Sequence, residues 1–536
     1  MKALNTIALL TLITMLLASL TNGTITAQEN PPEPLPVQDM SAPLTSSEAE
    51  TDTLPSSYVQ ELQHTSPSAA SSAGLPCRSL PFVYTADVLY GTFGRHRPNG
   101  CYPIGEAAKF HLIVTGPQSH RTRNWCENPD NAFVAIKNLS PDTLILLYRM
   151  GPGQYVTSTW GAVGDGWEWM KTNHGKGTQD RWIALGVDSG DYLLSLSYPV
   201  ERAMEIGNTN WQEYWITRNY EDIWVNRING LNGQSTDGIF ADGMQYGVSW
   251  ANGWCAESAY DYSEQRCTRM DHPSTYYQNG AYNQALWRQH YSAFLERAVP
   301  YYRRRNLRFG LNAWRVNLPD QIALYQRLGI VAMEECGFLC TGGSDLRSWT
   351  QKLQAIQQAA NYAIISVNLP PGYSASNGPD AMERTWCADG VCQTGWKWLW
   401  YSLGSYLLGY DPYRKNAYFH FSLWGYRGSY WFDEYDPRYL HLGLPVRSAE
   451  RLASGVWIRE FERGWVVVNP TLNPSSVSVP SGRARVLEHE NFKNPETAAS
   501  VDRLTLPPLR GVVLLKEEHL RPLCKTHLPL VTTSPR

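Results

Sequence analysis

A basic excess is missing from this chain. Its 536 residues carry a formal net charge of -3, whereas a surface built for nucleic acid or anionic lipid needs clustered positive charge. The common phosphate, zinc-protease and esterase cues are missing as well: there is no glycine-rich phosphate loop, no His-Glu-x-x-His and no Gly-x-Ser-x-Gly. No two of the ten cysteines have the two-residue spacing of a zinc knuckle, and the twelve histidines are scattered. Nothing in these patterns calls for a cofactor or a structural metal. Beyond the N-terminal segment, no apolar run approaches the length of a membrane span.

What is abundant is aromatic. The 21 Trp and 31 Tyr cluster near expected strand ends and loops, where flat amphipathic rings serve packing and can also stack on sugar faces. The N-terminus has the form of a secretory signal: Lys2, an apolar run over 7–20, and small Ala27 as the cleavage point, so residues 1–27 are expected to be removed and the mature protein exported. Residues 28–80 are rich in Pro, Ser, Thr and Glu and cannot bury enough apolar surface to offset their ordering entropy, which makes them a flexible linker. In an exported chain the cysteines read as disulfides, with Cys255/Cys267, Cys336/Cys340 and Cys387/Cys392 as close pairs and Cys77, Cys101, Cys126 and Cys524 left for longer links.

Past residue 107, strand-length apolar runs alternate with amphipathic segments. The runs at 110–114, 144–147, 192–196, 238–241, 308–311, 330–333, 363–367 and 418–423 predict eight parallel strands closed into an α/β barrel, the (β/α)8 or TIM fold, over residues 81–440. Helical composition at 282–305, 346–360 and 396–408 supports the outer ring. The stretch 87–94, followed by Arg95, His96 and Arg97, reads as the entry loop to the first strand. The long connection after Tyr148 is expected to be a functional loop or cap over the barrel mouth. After Trp424 the pattern changes to short strands between Pro, Gly and Ser turns, predicting a β-sandwich domain at 441–516 and a tail at 517–536.

In such barrels the strand ends and following loops of one face carry the chemistry. The fourth run ends on Asp242, and the sixth on Glu334 and Glu335. Strands four and six are separated by one neighbour, so their tips face one pocket, and two carboxyls so placed are what glycoside hydrolysis requires. Alternation lets only one of the two glutamates face the axis. Glu335 stands nearer the mouth and is preferred, with Glu334 as the alternative. Tyr148, Arg149, Asn312, Trp314, Asn368 and Trp424 follow neighbouring strands and are candidate substrate-binding residues.

The order Asn208-Thr209-Asn210-Trp211-Gln212-Glu213-Tyr214-Trp215, then Asp237-Gly238-Ile239-Phe240-Ala241-Asp242-Gly243, then Met333-Glu334-Glu335 with Gly337-Phe338, resembles the hypothetical glycosyl hydrolase family 15 group. That group is similar to α-galactosidase-like and polygalactosaminidase-like barrels. The run Phe461-Glu462-Arg463-Gly464-Trp465-Val466-Val467-Val468-Asn469-Pro470 resembles the start of the small β domain that follows such barrels. The resemblance covers roughly residues 105–516. It implies a glycosidase with Asp242 as nucleophile or base and Glu335 as acid; here Cys336 separates the two glutamates from Gly337-Phe338, which keeps Glu334 in play. The expected function is therefore that of a secreted hydrolase acting on polysaccharide or glycoconjugate. A barrel that binds or scaffolds carbohydrate without turnover, and a transglycosylase, are the alternatives.

Overall fold

The computed structural model describes residues 85–520 apart from 90–99, 117–118, 120–124, 157–165, 197–198, 226–234, 248–253, 341–345, 375, 415–416, 427–429, 437–438 and 441. The expected signal segment, the linker, Cys77, Cys524 and most of the tail lie outside the described residues.

Eight parallel strands form one sheet: β1 (Ala86–Leu89), β2 (Leu112–Thr115), β3 (Leu144–Met150), β4 (Gly238–Asp242), β5 (Arg308–Asn312), β6 (Val331–Glu334), β7 (Ala363–Asn368) and β8 (Ala417–Phe421). They pair in chain order, and a parallel bridge from Thr85 to Phe419 returns the first strand to the last, giving a TIM-like barrel. Their composition explains the form. Runs such as Ala-Ile-Ile-Ser-Val-Asn in β7, buried at every residue but the first, suit strands covered on both faces.

Two corrections follow. The run at 192–196 is no barrel strand: Leu193–Ser195 lies in a four-stranded antiparallel sheet with Gly153–Tyr155, Glu201–Ala203 and Trp254–Ala256. Conversely, the stretch at 87–94 does not merely lead into the barrel, because Ala86–Leu89 is β1 itself. The two errors offset one another, so Asp242 still ends the fourth strand and the two glutamates the sixth. The antiparallel sheet is assembled from the connections after β3 and β4, on the face where those strands end, and the amide of Gly151 donates to the carbonyl of Asp242 at 2.8 Å.

The helices have legible causes. Asn208 accepts from the amides of Asn210 and Trp211 to start Thr209–Tyr220. Gln284–Arg303 begins at Asn283, which accepts from Leu286, and buries Trp287, Tyr291, Phe294, Leu295, Ala298, Val299 and Tyr302, one face of a 3.6-residue repeat. Gly395–Gly409 behaves differently, since nearly every residue is buried. One side of it meets the barrel. The other meets two antiparallel strands, Gly464–Asn469 and Arg510–Lys516, at the centre of a six-stranded sheet. In those strands Val466, Val468, Val513 and Leu515 join the barrel core, while Trp465, Val467, Val512 and Leu514 turn to a separate core shared with Val477 and Leu506 of a second, two-stranded sheet.

Disulfides join Cys101 to Cys126, Cys255 to Cys267, Cys336 to Cys340 and Cys387 to Cys392. Among the described residues no helix is long and apolar enough to cross a membrane.

Candidate active site

Asp242 closes β4, and Glu335 follows the last residue of β6. Between them stands Asn312, the last residue of β5. Its side-chain nitrogen donates to Asp242 Oδ1 at 2.9 Å and to Glu335 Oε2 at 2.7 Å, so those two oxygens can be no further apart than the bonds laid end to end, 5.6 Å. With the two donor directions of a planar amide opened by roughly 120°, the separation is about 4.8 Å. The Asn312 oxygen accepts from the amide of Trp314 at 2.9 Å, which orients the amide group. Tyr148, on β3, donates to Asp242 Oδ2 at 2.9 Å, and Tyr426, from the loop after β8, donates to Glu335 Oε1.

Trp314 sits with φ at 60°, a conformation a bulky residue adopts only under constraint. The turn it makes lets its carbonyl accept the Glu335 amide at 3.1 Å and leaves the residue 40% exposed.

The other sequence candidates fall elsewhere. Glu334 turns away from Asp242: it accepts from the amide of Val316 and lies in the field of Lys352 and Arg315, with its second oxygen unpartnered among the described residues. Alternation along β3 sends Arg149 opposite to Tyr148, to a half-buried place near Asp222 and Tyr302 where desolvation lowers its pKa. Asn368 is consumed by structure, accepting from Phe338 and donating to the Ser366 and His420 carbonyls. Trp424 is fully buried with its indole NH on the Gly378 carbonyl at 3.2 Å. Arg149, Asn368 and Trp424 are therefore not brought to the carboxyl pair.

Sequence reasoning missed three groups. Tyr426 lies only two residues beyond Trp424, where the strand-end search stopped. Tyr373 lies in the loop after β7 and feels the charge of Glu335. Glu201 comes from the inserted sheet and feels the charge of Asp242. The signal for Glu201 was a carboxylate inside a short strand-forming run of the long insertion.

The electrostatics divide the roles. Burial raises Asp242, and its hydrogen bonds from Asn312 and Tyr148 work against that rise. Burial, then the negative charge of Asp242, push Glu335 up to about 7, opposed by its bonds from Tyr426 and Asn312. The charge of Asp242 thus helps hold a proton on Glu335 near neutrality. The arrangement supplies a carboxylate and a carboxylic acid on opposite arms of one amide, the pattern required for nucleophilic attack and proton delivery at a single centre. Among the described residues no group of three or more His, Cys, Asp or Glu is arranged to hold a metal ion.

The model of the hypothetical glycosyl hydrolase family 15 matches residues 137–465, from just before β3 into the six-stranded sheet. The chain belongs to this family. The matched stretch of this hypothetical glycosyl hydrolase family 15 member contains Asp242, Asn312, Glu335 and Tyr426 together. No curated protein matches it in sequence. Among solved structures it is similar to isomaltulose synthase from Klebsiella sp. LX3, at 9% identity and a TM-score of 0.41 over 81% of this chain and 98% of that one. It is also similar to the GH36 α-galactosidase AgaB from Geobacillus stearothermophilus, at 10% identity and a TM-score of 0.35 over 82% and 55% of the two chains. A third is the catalytic domain of GH30 xylanase C from Talaromyces cellulolyticus, at 12% identity and a TM-score of 0.19 over 66% and 92%. At these scores the chemistry of this family member has to be argued from its own side chains.

Proposed function

We propose that the protein is an exported glycoside hydrolase that cleaves polysaccharide or glycoconjugate with retention of anomeric configuration. The observation that carries this reading is the shared Asn312 nitrogen, which keeps the two carboxyl oxygens within 5.6 Å. Retaining enzymes have their carboxyls about 5–5.5 Å apart, whereas inverting ones need about 6.5–9.5 Å to admit a water. In the first step Asp242 attacks the anomeric carbon as Glu335 gives its proton to the departing oxygen. In the second, the Glu335 carboxylate takes a proton from water, which displaces Asp242 and restores both groups. Tyr148 and Asn312 hold Asp242 in line, Tyr426 and Asn312 aim Glu335, and Trp314 offers its exposed ring to the substrate. The two antiparallel sheets at 450–516 are read as a β-sandwich domain that buttresses the barrel. The signal-like N-terminus supports export, and the four disulfides accord with it.

The test is hydrolysis of a glycan panel by the wild type beside Asp242→Asn and Glu335→Gln, with the first-formed anomer of the product read by proton NMR. Turnover undiminished in both variants would remove the site assignment, and an inverted product would remove the two-step mechanism. Binding without turnover by the wild type would point to a carbohydrate-binding barrel, and transfer to added acceptors in preference to water would point to a transglycosylase.

A further inference from the structure

A third carboxyl enters the site from the inserted sheet. In the antiparallel pairing of Gly153–Tyr155 with Glu201–Ala203, Glu201 stands directly opposite Tyr155, so the two side chains share a face. That face is turned to the nucleophile: the Tyr155 hydroxyl is 3.4 Å from the Tyr148 hydroxyl, which itself donates to Asp242. Gly153 lies two residues before Tyr155 and looks the same way. A Cβ at Gly153 would come within 2.2 Å of Glu201 Oε1, so the glycine is what leaves room for the carboxyl.

Glu201 is only 6% exposed, and burial followed by the charge of Asp242 raises its carboxyl to about 8, with a Ser195 side-chain bond acting in the opposite direction. Its neighbour Arg202 does not neutralise it. By strand alternation Arg202 points to the other face, where it bonds Glu257 at 2.6 Å and Tyr262 at 3.0 Å. A buried acid with no ion pair among the described residues is costly, and the fold both keeps it and clears space for it beside the proposed nucleophile.

Resting on the proposed hydrolase, we propose that Glu201 grips the sugar ring that becomes bonded to Asp242, making the inserted sheet part of the site for that ring. As a neutral acid Glu201 can donate one hydrogen bond and accept others, which suits two adjacent hydroxyls of an uncharged sugar. A uronate at the same place would meet the charge of Asp242 and be disfavoured.

The experiment uses the full chain and para-nitrophenyl glycosides of the common neutral sugars, with deoxy derivatives of whichever glycoside the wild type cleaves. Glu201→Ala is expected to lower kcat/KM by about 100-fold and Glu201→Gln by about 10-fold, because the amide keeps one donor and one acceptor. Gly153→Ala, which leaves the glutamate in the sequence but displaces its carboxyl, is expected to fall between them. The diagnostic reading is that the Glu201→Ala deficit disappears on the deoxy derivative that lacks the gripped hydroxyl. Activity of Glu201→Ala within two-fold of wild type, or an equal loss on every deoxy derivative, would overturn the assignment while leaving the hydrolase intact. Should the wild type cleave no glycoside, the proposed reaction fails separately. Glu201 is then judged by calorimetric binding of the free sugars: weaker binding by Glu201→Ala supports the grip, and equal binding or none overturns it.

Discussion

The two ends of β4 carry an aspartate each, and their surroundings could hardly differ more. Asp237, at the entry, accepts from Lys137 at 2.7 and 3.0 Å and from the amide of Ile145 at 2.7 Å, so a cation and a backbone donor meet its charge. Its own amide and carbonyl bond Ile145 and Arg308, stitching β3, β4 and β5 together at their start. Asp242, five residues on, is half-buried, and among the described residues its side-chain donors are the neutral Tyr148 and Asn312, with two glutamates nearby. One carboxylate is compensated and serves stability. The other meets no cation among the described residues, which accords with the nucleophile's role proposed for it.

Exchanging each carboxylate for its amide breaks the comparison most sharply. Asp242→Asn is expected to lower kcat by at least about 1,000-fold on any cleaved glycoside, since an amide cannot form the glycosyl ester. Thermal unfolding of that variant should show no loss of stability at pH 7, because the fold raises the pKa of Asp242 and its charged form is therefore disfavoured by folding. Asp237→Asn should do the reverse, keeping kcat within two-fold and lowering stability by about 1–2 kcal/mol in denaturant titration.

Next in size is Glu335→Gln, with an expected loss of about 100- to 10,000-fold on sugar leaving groups and a smaller one on nitrophenolate, which departs with little protonation. With Glu335 as the proposed acid and its carboxyl pushed up to about 7 by burial and Asp242, wild-type kcat/KM is expected to fall as pH rises through that value, and the variant to lack that limb. Asn312→Ala is expected to cost about 10- to 100-fold. Asn312 favours the charged forms of both carboxyls, so its loss should move both limbs of the pH profile to higher pH.

Among the site carboxyls the smallest effect belongs to Glu334→Gln, with activity within about three-fold of wild type. Burial raises Glu334 from the usual 4.5 to about 7 in the fold. Its contribution to stability is thus complete below about pH 4.5 and lost as pH rises towards 7, and the glutamine variant should flatten that decline by about 1–3 kcal/mol. A large kinetic effect here would mean that the wrong one of the adjacent glutamates has been placed in the pair.

Much of the barrel was legible because strands covered on both faces read as apolar runs wherever they occur. The same property misled at Leu193–Ser195, whose run is as apolar as a barrel strand although its partners are antiparallel; periodicity does not report the direction of a neighbour. Four-residue β1 was hidden by its length and by the Gly- and Arg-rich stretch after it. At the site, Asp242 and Asn312 could be read from strand ends, and Glu335 could be preferred from its position beyond the strand. Arg149 could not be excluded until the phase of β3 was known. Tyr426 and Glu201 are placed near Glu335 and Asp242 across long sequence separations, from a loop and an inserted sheet that no local pattern ties to β4.

The buried helix Gly395–Gly409 also bears on how the chain is made. A growing polypeptide completes this helix, and the strand Ala417–Phe421 that closes the barrel, before the strands Gly464–Asn469 and Arg510–Lys516 exist to cover its outer side. Until residue 516 has been synthesised, the nascent barrel presents Trp400, Leu403 and Leu407 without the Val468 and Val513 that pack near them in the finished molecule. The strand Arg510–Lys516 is thus the one that relieves the barrel of a sticky surface, and a chain lacking it would leave that side of the helix open to association.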